Sequence, residues 1–395
     1  MPSPTLKVAA LFAGIAGVEL GFQRALGHDV ETTMFCEWWE PAKQVLSTRF
    51  PGVDLHPDVR ELRDLPADVN VVTAGFPCTD LSQAGRTAGI TGESSGLVKH
   101  VFEVLSLVAR SRALPTLVIE NVPNMLALNR GQAMEYLVRE IEALGYRWAY
   151  RVVDSRFTGV PQRRRRVLLV ASVDIDPRQV VFADDAGPRP ADDLADDAYG
   201  FYWTEGRGGL GWAQDAVPTL KGGSTIGIPS PPAVWVPGAD LGRRLVKPGI
   251  EDAEAMQGFD RGWTDVADLG PRALGHRWKL VGNAVTVGVS QWLAGRLAEP
   301  GDVEAEYAPH EVTRKAWPTA AWGEHGKVWT VPGLSEFPVH RDYRHLADEI
   351  DLDDAVPLTV RGAAGFLSRL NQGNLGRHPG FREDVAAHVA ALSPA

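Results

Sequence analysis

Cysteine is scarce in this chain, and its scarcity restricts the chemistry. The 395 residues include only Cys36 and Cys78, too few for a disulfide framework or a zinc site built from thiolates. We therefore predict no metal, and each cysteine is either a buried apolar residue or a nucleophile. Basic residues are also not in excess, since the formal net charge is −10, whereas most nucleic-acid-binding proteins are basic. Contacts with phosphates require only a local positive face, so this charge does not exclude DNA binding.

Long apolar runs are absent as well. No stretch of eighteen apolar residues occurs and the N-terminus lacks the regions of a signal peptide, so we predict a cytoplasmic protein with no membrane partner. The chain otherwise has an ordinary globular composition, with 44% hydrophobic and 23% charged residues. This length and composition predict two or three structural units and a large buried core.

The start of the chain has the pattern of an α/β nucleotide-binding fold. Predicted strands over 6–12 and 30–36 flank a predicted helix over 18–26. Gly14 and Gly17 lie between the first strand and this helix, where absent side chains let the backbone approach a ligand beside a helix N-terminus. An ordinary structural turn is the alternative, and the pattern alone does not choose between them.

Carboxylates follow the next predicted strands. Glu37 ends the second strand, where such folds bind ribose hydroxyls, and Trp38 beside it can stack on an adenine ring. Asp58, after a short third strand, would reach the adenine amino group. The alternatives are that Glu37 caps the next helix, that Trp38 packs in the core, and that Asp58 is an ordinary exposed turn residue.

The second cysteine lies where a reactive group is expected. An apolar run over 69–74 predicts a buried strand, and Gly75-Phe76-Pro77-Cys78 follows it. Ligands bind beyond the carboxyl ends of strands in open α/β sheets, so Cys78 is a candidate nucleophile. The run over 83–96 is rich in Gly, Ser and Thr, which predicts a loop able to close over a substrate.

Charged residues flank two later predicted strands. Glu120 follows an apolar strand, and a carboxyl group there is costly to bury unless it is paired or protonated. We predict that Glu120 acts as an acid facing the crevice; a helix cap is the alternative. In the arginine run over 163–166, alternation on extended backbone places Arg164 and Arg166 on one side and the other two arginines on a solvated side.

Together these motifs resemble the DNA cytosine-C5 methyltransferase family, in the family's order, over residues 1–298. The motifs that carry the resemblance are Phe12-x-Gly14, Pro77-Cys78, Glu120-Asn121-Val122, Gln162-x-Arg164-x-Arg166 and Gly282-Asn283-x-Val285. The resemblance implies an α/β fold of the Rossmann-like, S-adenosylmethionine-dependent methyltransferase type, with a mixed, mostly parallel sheet flanked by helices and a small second recognition lobe.

The resemblance also implies S-adenosylmethionine as cofactor and assigns site residues. The implied catalytic residues are Cys78, Glu120, Arg164 and Arg166. The implied cofactor residues are Phe12, Gly14, Gly17, Glu37, Trp38, Asp58, Val59, Gly75, Pro77, Asn283 and Val285. The implied substrate residues are Pro77, Gln83, Asn121 and Gln162. Asn283 could instead only cap the helix predicted after it. Two positions depart from the family pattern, since Ala10 replaces an aspartate and Ala16 a glycine, and we expect reduced cofactor affinity.

The implied reaction methylates carbon 5 of a cytosine flipped out of duplex DNA. Attack of the Cys78 thiolate at carbon 6 makes carbon 5 nucleophilic toward the sulfonium methyl group. Glu120 supplies a proton at ring nitrogen 3, and Arg164 holds the base. A water-linked base then takes the carbon 5 proton and Cys78 leaves. Alternative substrates are RNA or a free pyrimidine nucleotide, and a non-catalytic DNA-binding or regulatory module is a second alternative.

Four segments are predicted along the chain. They are a catalytic and cofactor-binding domain over 1–182, a short target-recognition lobe over 183–275, a helix over 276–300 that completes the catalytic domain, and an extension over 301–395. The extension mixes Trp317, Trp322 and Trp329 with basic residues, so we hypothesise that it recognises DNA; a helical cap or dimer surface is the alternative. We predict a monomer at the nucleoid and consider a cognate restriction nuclease as a partner.

Overall fold

The computed structural model describes residues 5–77, 96–204, 209–222, 231–303, 307–309 and 317–392. In chain order the described strands are β1 (Leu6–Leu11), β2 (Val30–Cys36), β3 (Asp54–His56), β4 (Val71–Ala74), β5 (Thr116–Asn121), β6 (Arg147–Asp154), β7 (Gln162–Arg163), β8 (Arg165–Ser172), β9 (Tyr199–Phe201), β10 (Ala213–Gln214), β11 (Val217–Pro218), β12 (Ala233–Trp235), β13 (Leu245–Lys247), β14 (Ala308–Pro309), β15 (Ala320–Glu324), β16 (Lys327–Thr330) and β17 (Val356–Pro357).

The described α-helices follow in the same order. They are α1 (Gly17–Leu26), α2 (Glu40–Arg49), α3 (Val98–Val108), α4 (Gln132–Ala143), α5 (Arg178–Val181), α6 (Ile250–Met256), α7 (Ala273–Asn283), α8 (Val287–Ala298), α9 (Leu346–Glu349), α10 (Val360–Gly373) and α11 (Phe381–Leu392). A search of the described helices found none with the length and apolar character needed to cross a membrane.

The chain divides into two compact units, each assembled from separate stretches of sequence. The first unit contains Met1–Phe157, Arg165–Pro188 and Val285–Val339, and the second contains Thr158–Arg164, Arg189–Ala284 and His340–Ala395. These boundaries differ from the four predicted segments. The predicted extension over 301–395 is divided at Val339, and the predicted helix over 276–300 is two helices, of which α7 belongs to the second unit and α8 to the first.

A mixed sheet forms the centre of the first unit, in the order β14-β16-β15-β6-β8-β5-β4-β1-β2-β3. Strands β3, β2, β1, β4 and β5 are parallel neighbours, while β8 is antiparallel to both β5 and β6. The apolar runs of β1, β4 and β5 are buried, as expected for parallel strands covered by helices on both faces. This is the α/β arrangement that the sequence predicts, with a ligand crevice expected at the carboxyl ends.

Helix α8 brings a distant part of the sequence back to α1. Gly21 makes this contact close, because a Cβ atom there would lie 2.5 Å from the carbonyl oxygen of Val287 and 2.6 Å from the Cβ of Ser290. A larger residue at position 21 would force the two helices apart. Helix α8 therefore completes the first unit. The sequence predicts one helix over 276–300 in this role, whereas α8 begins at Val287.

The aromatic residues of the first part of the extension pack inside the first unit. Trp322 of β15 stacks on Trp329 of β16 with ring centroids 4.1 Å apart, and the guanidinium of Arg178 lies 4.2 Å from the Trp322 centroid. Trp317 is buried and tilts against Trp148 of β6. These tryptophans widen the main sheet by packing, which is a different use from the exposed stacking that the composition predicts.

In the second unit, a smaller sheet has the order β10-β9-β12-β13-β17. Its core is aromatic: the Phe201 ring lies 5.2 Å from Phe366 of α10 and 5.1 Å from Phe381 of α11, and Trp235 of β12 also packs on Phe381. Both the edge strand β17 and the two helices come from the end of the chain. Residues 340–392 are therefore an integral part of this unit.

Candidate active site

Strand register places the predicted site residues at one edge of the main sheet. Leu11 pairs with Cys36 and with Ala74, Cys36 pairs with His56, and Ala74 pairs with Ile119. Residues that follow these pairs are therefore level with one another at the carboxyl ends of the strands. Those residues are Phe12, Glu37, Pro57-Asp58, Gly75 and Glu120.

Glu37 holds the glycine turn against the end of β2. Its carboxylate accepts the backbone N–H of Gly14 at 3.0 Å and that of Trp39 at 2.8 Å. Burial raises the pKa of Glu37, and the backbone hydrogen bonds from Trp39, Gly14 and Trp38 act in the opposite direction. A carboxylate has about four lone-pair sites, more than these three N–H groups use, so Glu37 can still accept a ribose hydroxyl.

A cavity of about 160 Å³ opens beside Glu37. Its lining residues are Phe12, Cys36, Glu37, Trp38, Asp58, Val59, Arg60 and Leu97. Trp38 is 70% exposed, so the alternative that it packs in the core is wrong. Asp58 accepts the backbone N–H and the guanidinium of Arg60, and this guanidinium lowers the pKa of Asp58.

The lining fits the adenosyl part of S-adenosylmethionine. An exposed aromatic face, two carboxylates and an apolar floor are the groups that an adenine ring and ribose hydroxyls require. The glycine turn leaves room as well, because nothing lies within 4 Å of a Cβ atom built on Gly14, whose φ is +57°. Ala16 ends this turn in the left-handed region at φ 61°, a conformation that costs an alanine about 1 kcal/mol and a glycine almost nothing.

Cys36 is an apolar residue of the core. It is 2% exposed, and burial raises the pKa of its thiol to about 12. It therefore stays protonated at neutral pH, and the nucleophile alternative falls to Cys78. Cys78 and Gln83 lie outside the described residues.

Asn121 fixes the main chain just ahead of Cys78. Its side-chain Nδ2 donates to the carbonyl oxygen of Phe76 at 2.9 Å, and its Oδ1 accepts the backbone N–H of Val122 at 2.9 Å. Asn121 is buried, at 4% exposure, and Phe76 packs edge-on against Phe12. The structure thus gives Asn121 backbone partners, where the sequence predicts contact with substrate.

Glu120 and Arg166 form an ion pair on neighbouring antiparallel strands. The Arg166 Nε atom lies 2.7 Å from a Glu120 carboxylate oxygen, and both side chains are more than four-fifths buried. Glu120 pairs with Leu168 in the sheet, and Arg166 lies on the same face two residues earlier in β8. Glu120 lies inside β5, which runs to Asn121, so the alternative that it caps a helix is wrong.

Gln162 and Arg164 are buried in the second unit among backbone groups. The Arg164 guanidinium donates to the carbonyl oxygens of Leu220 at 3.1 Å, Gly282 at 3.3 Å and Ala284 at 2.7 Å. Gln162 accepts the N–H of Leu220 and donates to the carbonyl of Met256. These contacts differ from those of Arg166, although the sequence predicts that Arg164 and Arg166 act on one side together.

Two further sequence expectations meet the structure differently. Asn283 is the last residue of α7 and is exposed, and α8 begins beyond it with Thr286 as its N-cap. The alternative that Asn283 caps the following helix is therefore wrong. Of the two arginines expected on a solvated side, Arg163 donates to the Gly211 carbonyl and Arg165 pairs with Glu336.

One buried acid was missed at the level of sequence. Glu19 of α1 is 2% exposed and accepts a hydrogen bond from the Thr73 hydroxyl of β4 at 2.8 Å. Burial raises the pKa of Glu19 to about 7. Acidic residues are common in the first turn of a helix because the helix dipole favours them there. The sequence therefore gives no sign that Glu19 is buried rather than solvated.

Comparisons with known proteins give consistent relatives. The family described as C-5 cytosine-specific DNA methylase matches residues 6–180. The Type II methyltransferase M2.BsuMI of Bacillus subtilis (strain 168) is 45% identical over 371 residues, which cover 92% of this chain and 93% of that protein. The Type II methyltransferase M.Bsp6I of Bacillus sp. (strain RFL6) is 32% identical over 174 residues, 43% of this chain and 53% of that protein.

Solved structures share the fold. The S. pombe Dnmt2 methyltransferase has a TM-score of 0.54 at 16% identity and matches 75% of this chain and 99% of its own. The Entamoeba histolytica methyltransferase EhMeth has a TM-score of 0.53 at 15% identity, over 73% of this chain and 96% of its own. At these identities the likeness supports the fold and no further property.

Proposed function

Because this chain belongs to the C-5 cytosine-specific DNA methylases, we propose how its own residues carry out methyl transfer to carbon 5 of cytosine in DNA. The observation that carries the proposal is the Glu120–Arg166 ion pair, which is level with the end of the strand that leads into Pro77-Cys78. We propose that the acid near the end of β5 and the nucleophile that follows β4 in the sequence act on one bound ring, because β4 and β5 are parallel neighbours.

Cys78 is proposed as the nucleophile. Its thiolate adds to carbon 6 of the flipped cytosine, and the electrons of the 5,6 double bond move to carbon 5, which becomes nucleophilic. Glu120 donates a proton at ring nitrogen 3 and so stabilises the adduct. Carbon 5 would take the methyl group of the bound sulfonium, whose sulfur keeps the electrons of the broken bond and leaves as a neutral thioether. A water-linked base then removes the carbon 5 proton, the 5,6 double bond re-forms, Cys78 leaves as a thiolate, and the proton at ring nitrogen 3 returns to Glu120. Asn121 is proposed to position the main chain for these steps, because it hydrogen-bonds to the carbonyl of Phe76, two residues before the nucleophile in the sequence.

Arg166 is proposed to orient Glu120 through their ion pair. A guanidinium offers donors in a fixed plane, so it restricts the rotation of the carboxyl group and has further N–H groups for the base. Arg164 is proposed as a positioning residue in the second unit, where it holds the carbonyls of Gly282 and Ala284 on either side of Asn283.

S-adenosylmethionine is the proposed cofactor, and when bound it supplies an electrophilic methyl group on a sulfonium. Trp38 stacks on the adenine ring, and Glu37 accepts the ribose hydroxyls. Asp58 and Val59 line the side of the cavity formed after β3. Gly14 leaves its space open for the ligand. The contact proposed for Asp58 requires the exposed Arg60 side chain to yield its place at one carboxylate oxygen.

Duplex DNA is the proposed macromolecular substrate, and the protein is proposed to act on it as a monomer at the nucleoid. The Type II methyltransferases among its relatives support a restriction enzyme of the same target sequence as a functional partner.

A direct assay tests this function against the alternatives. The chain is incubated with labelled S-adenosylmethionine and, side by side, duplex DNA, transfer RNA and free cytidine nucleotides. We expect label at cytosine carbon 5 of the duplex only, and none with Cys78→Ala. Label on RNA or free nucleotides instead would replace the proposed substrate, and cofactor binding without transfer to any of them would identify a non-catalytic module.

A further inference from the structure

The end of the chain builds one wall of the second unit. Asp215, fully buried, accepts the backbone N–H of Leu346 at 2.6 Å and faces the ring nitrogen of His345 at 2.7 Å. Further along, Asp384 of α11 accepts the indole N–H of Trp235 at 2.9 Å and the guanidinium of Arg244 at 2.7 Å. Contacts near residue 345 and at Asp384 therefore attach the C-terminal part of the chain to the second unit at two separate places.

The last three residues of α10 and the loop that joins it to α11 make up residues 371–380, which we call the C-terminal turn. Asn374 ends α10 in the left-handed region at φ 49°. Gly376 has φ +64°, and a Cβ atom there would lie 3.0 Å from the Phe381 ring, so the position suits glycine. Arg382 donates to the Leu375 carbonyl at 2.7 Å and to the Asn374 side chain at 3.2 Å. The backbone of the turn is thus fixed from both sides.

An aromatic cluster supports the turn from below. The His378 ring lies 4.6 Å from Tyr199 and stacks on Trp212 at 5.5 Å. Tyr199 also stacks on Trp235, which Asp384 holds. Side chains on this turn are therefore presented from a rigid base, and a fixed presentation reduces the entropy lost on binding.

The exposed side chains of the turn have the chemistry that reads bases. Asn371, Gln372 and Arg377 are all exposed. Asparagine and glutamine amides pair with two atoms of adenine, and an arginine guanidinium pairs with two atoms of guanine, in the major groove.

The local charge suits the same partner. Residues 358–392 contain four arginines and only Glu383 and Asp384 as acids, whereas the chain as a whole carries −10. The preceding residues 342–354 contain six acidic residues, so the sign of the charge reverses just before α10. A local excess of basic residues in an acidic protein favours contact with phosphates.

We propose that the C-terminal turn reads base edges of the duplex beside the target cytosine, with Arg377 contacting a guanine and Asn371 or Gln372 an adenine. This role rests on the proposed function and specifies how its target sequence is chosen. The recognition region predicted between the arginine motif and Asn283 is short, and the C-terminal turn belongs to the same compact unit as that region.

The test measures sequence preference. Full-length protein with S-adenosylmethionine methylates a library of duplexes in which one cytosine has randomised flanks, and the modified positions are sequenced. We expect Arg377→Ala to reduce discrimination at one base position by about ten- to hundred-fold, and Asn371→Ala with Gln372→Ala to do so at another. Arg377→Lys keeps the charge, so it should retain the salt dependence of binding and still lose the discrimination.

The matched control is Arg361→Ala, which removes an exposed arginine from the other end of α10. It should weaken binding at most uniformly and leave the preference unchanged. An unchanged preference in folded, active Arg377→Ala and Arg377→Lys, or a loss that is uniform over all sequences, would reject base reading by the turn. If the wild-type chain methylates no duplex in the library, the proposed function itself fails.

Discussion

The Nε atom of Arg166 lies 2.7 Å from a carboxylate oxygen of Glu120, across the antiparallel strands β8 and β5. β5 ends and β8 begins at the edge of the sheet where the chain leaves β4 toward Pro77. The pair therefore joins two sequence motifs 46 positions apart into one group of fixed orientation. A carboxyl group held in this way can present its free oxygen to a ring nitrogen without first being ordered.

The first prediction concerns this pair. We expect Glu120→Gln to lower kcat by about 10²- to 10⁴-fold, since it removes the proton donor, and Arg166→Ala to lower it too because the carboxyl group loses its orientation. The double variant should be little worse than Glu120→Gln alone, as two residues that act as a unit are not additive. Arg165→Ala is the control. Arg165 lies in the same strand as Arg166, and the substitution breaks its exposed ion pair with Glu336. Full additivity in single-turnover rates would contradict the coupling.

The second prediction concerns Asn121. Asn121→Ala leaves the Phe76 carbonyl without its buried donor, which should cost about 1–3 kcal/mol of unfolding free energy and lower kcat, while the cofactor Kd stays unchanged. The control is Asn70, which bridges the Lys7 N–H and the Thr5 carbonyl just before the start of β4. Asn70→Ala should affect stability alone, and equal kcat values for the two variants would argue against positioning by Asn121.

The third prediction concerns pH and Glu19. Its pKa is about 7 in the folded protein and close to 4.3 in an unfolded chain, so its contribution to stability is complete below about pH 4.3 and is lost as pH rises through 7. The loss amounts to about 4 kcal/mol. Glu19→Gln keeps an acceptor for the Thr73 hydroxyl and removes the titration.

Urea unfolding from pH 5 to pH 8.5 measures this effect. Relative to the wild type, we expect Glu19→Gln to gain stability as the pH rises from 5 to about 7 and to gain no more above it. Glu31→Gln, which removes an exposed acid paired with Lys7, should not show this dependence. A difference between Glu19→Gln and wild type that does not vary with pH would show that Glu19 titrates normally.

The fourth prediction concerns Trp38. Because it is 70% exposed, Trp38→Ala should leave the melting temperature nearly unchanged and weaken S-adenosylmethionine binding about ten-fold, through loss of stacking on adenine. Calorimetric titration of the chain with the cofactor gives the Kd. Leu274→Ala removes a comparably exposed apolar side chain, at 58% exposure, and should bind normally. Equal Kd values for the two variants would show that the adenine ring does not stack on Trp38.

Much of the first unit could be predicted from sequence because its signals are local. Runs of buried apolar residues gave the central strands, and β2 has the predicted bounds. The family resemblance is confirmed by the comparisons with known proteins. The predicted end of β5 was short by two residues, because a strand that carries Glu120 and Asn121 departs from the apolar pattern.

The remainder depends on contacts between distant residues. The partners of Arg164 are carbonyls 56 to 120 positions away, so no local pattern reports them. The sequence predicts that Asn283 caps the start of a helix, because asparagine is common at that position. In the structure Asn283 is instead the last residue of α7. The composition of the extension predicted that its tryptophans contact DNA, whereas Trp317 and Trp322 are buried. The burial of Trp322 follows from the pairing of β15 with β6, which only the fold supplies.

The covalent step can be measured directly with a duplex that carries 5-fluorocytosine at the target position. The fluorine at carbon 5 cannot leave as a proton does, so the chain and the DNA should remain joined through Cys78 in the presence of S-adenosylmethionine, in one-to-one stoichiometry by denaturing electrophoresis. Glu120→Gln should slow adduct formation, and Cys78→Ala should abolish it. Absence of the adduct in the wild type, or its persistence in Cys78→Ala, would contradict the account.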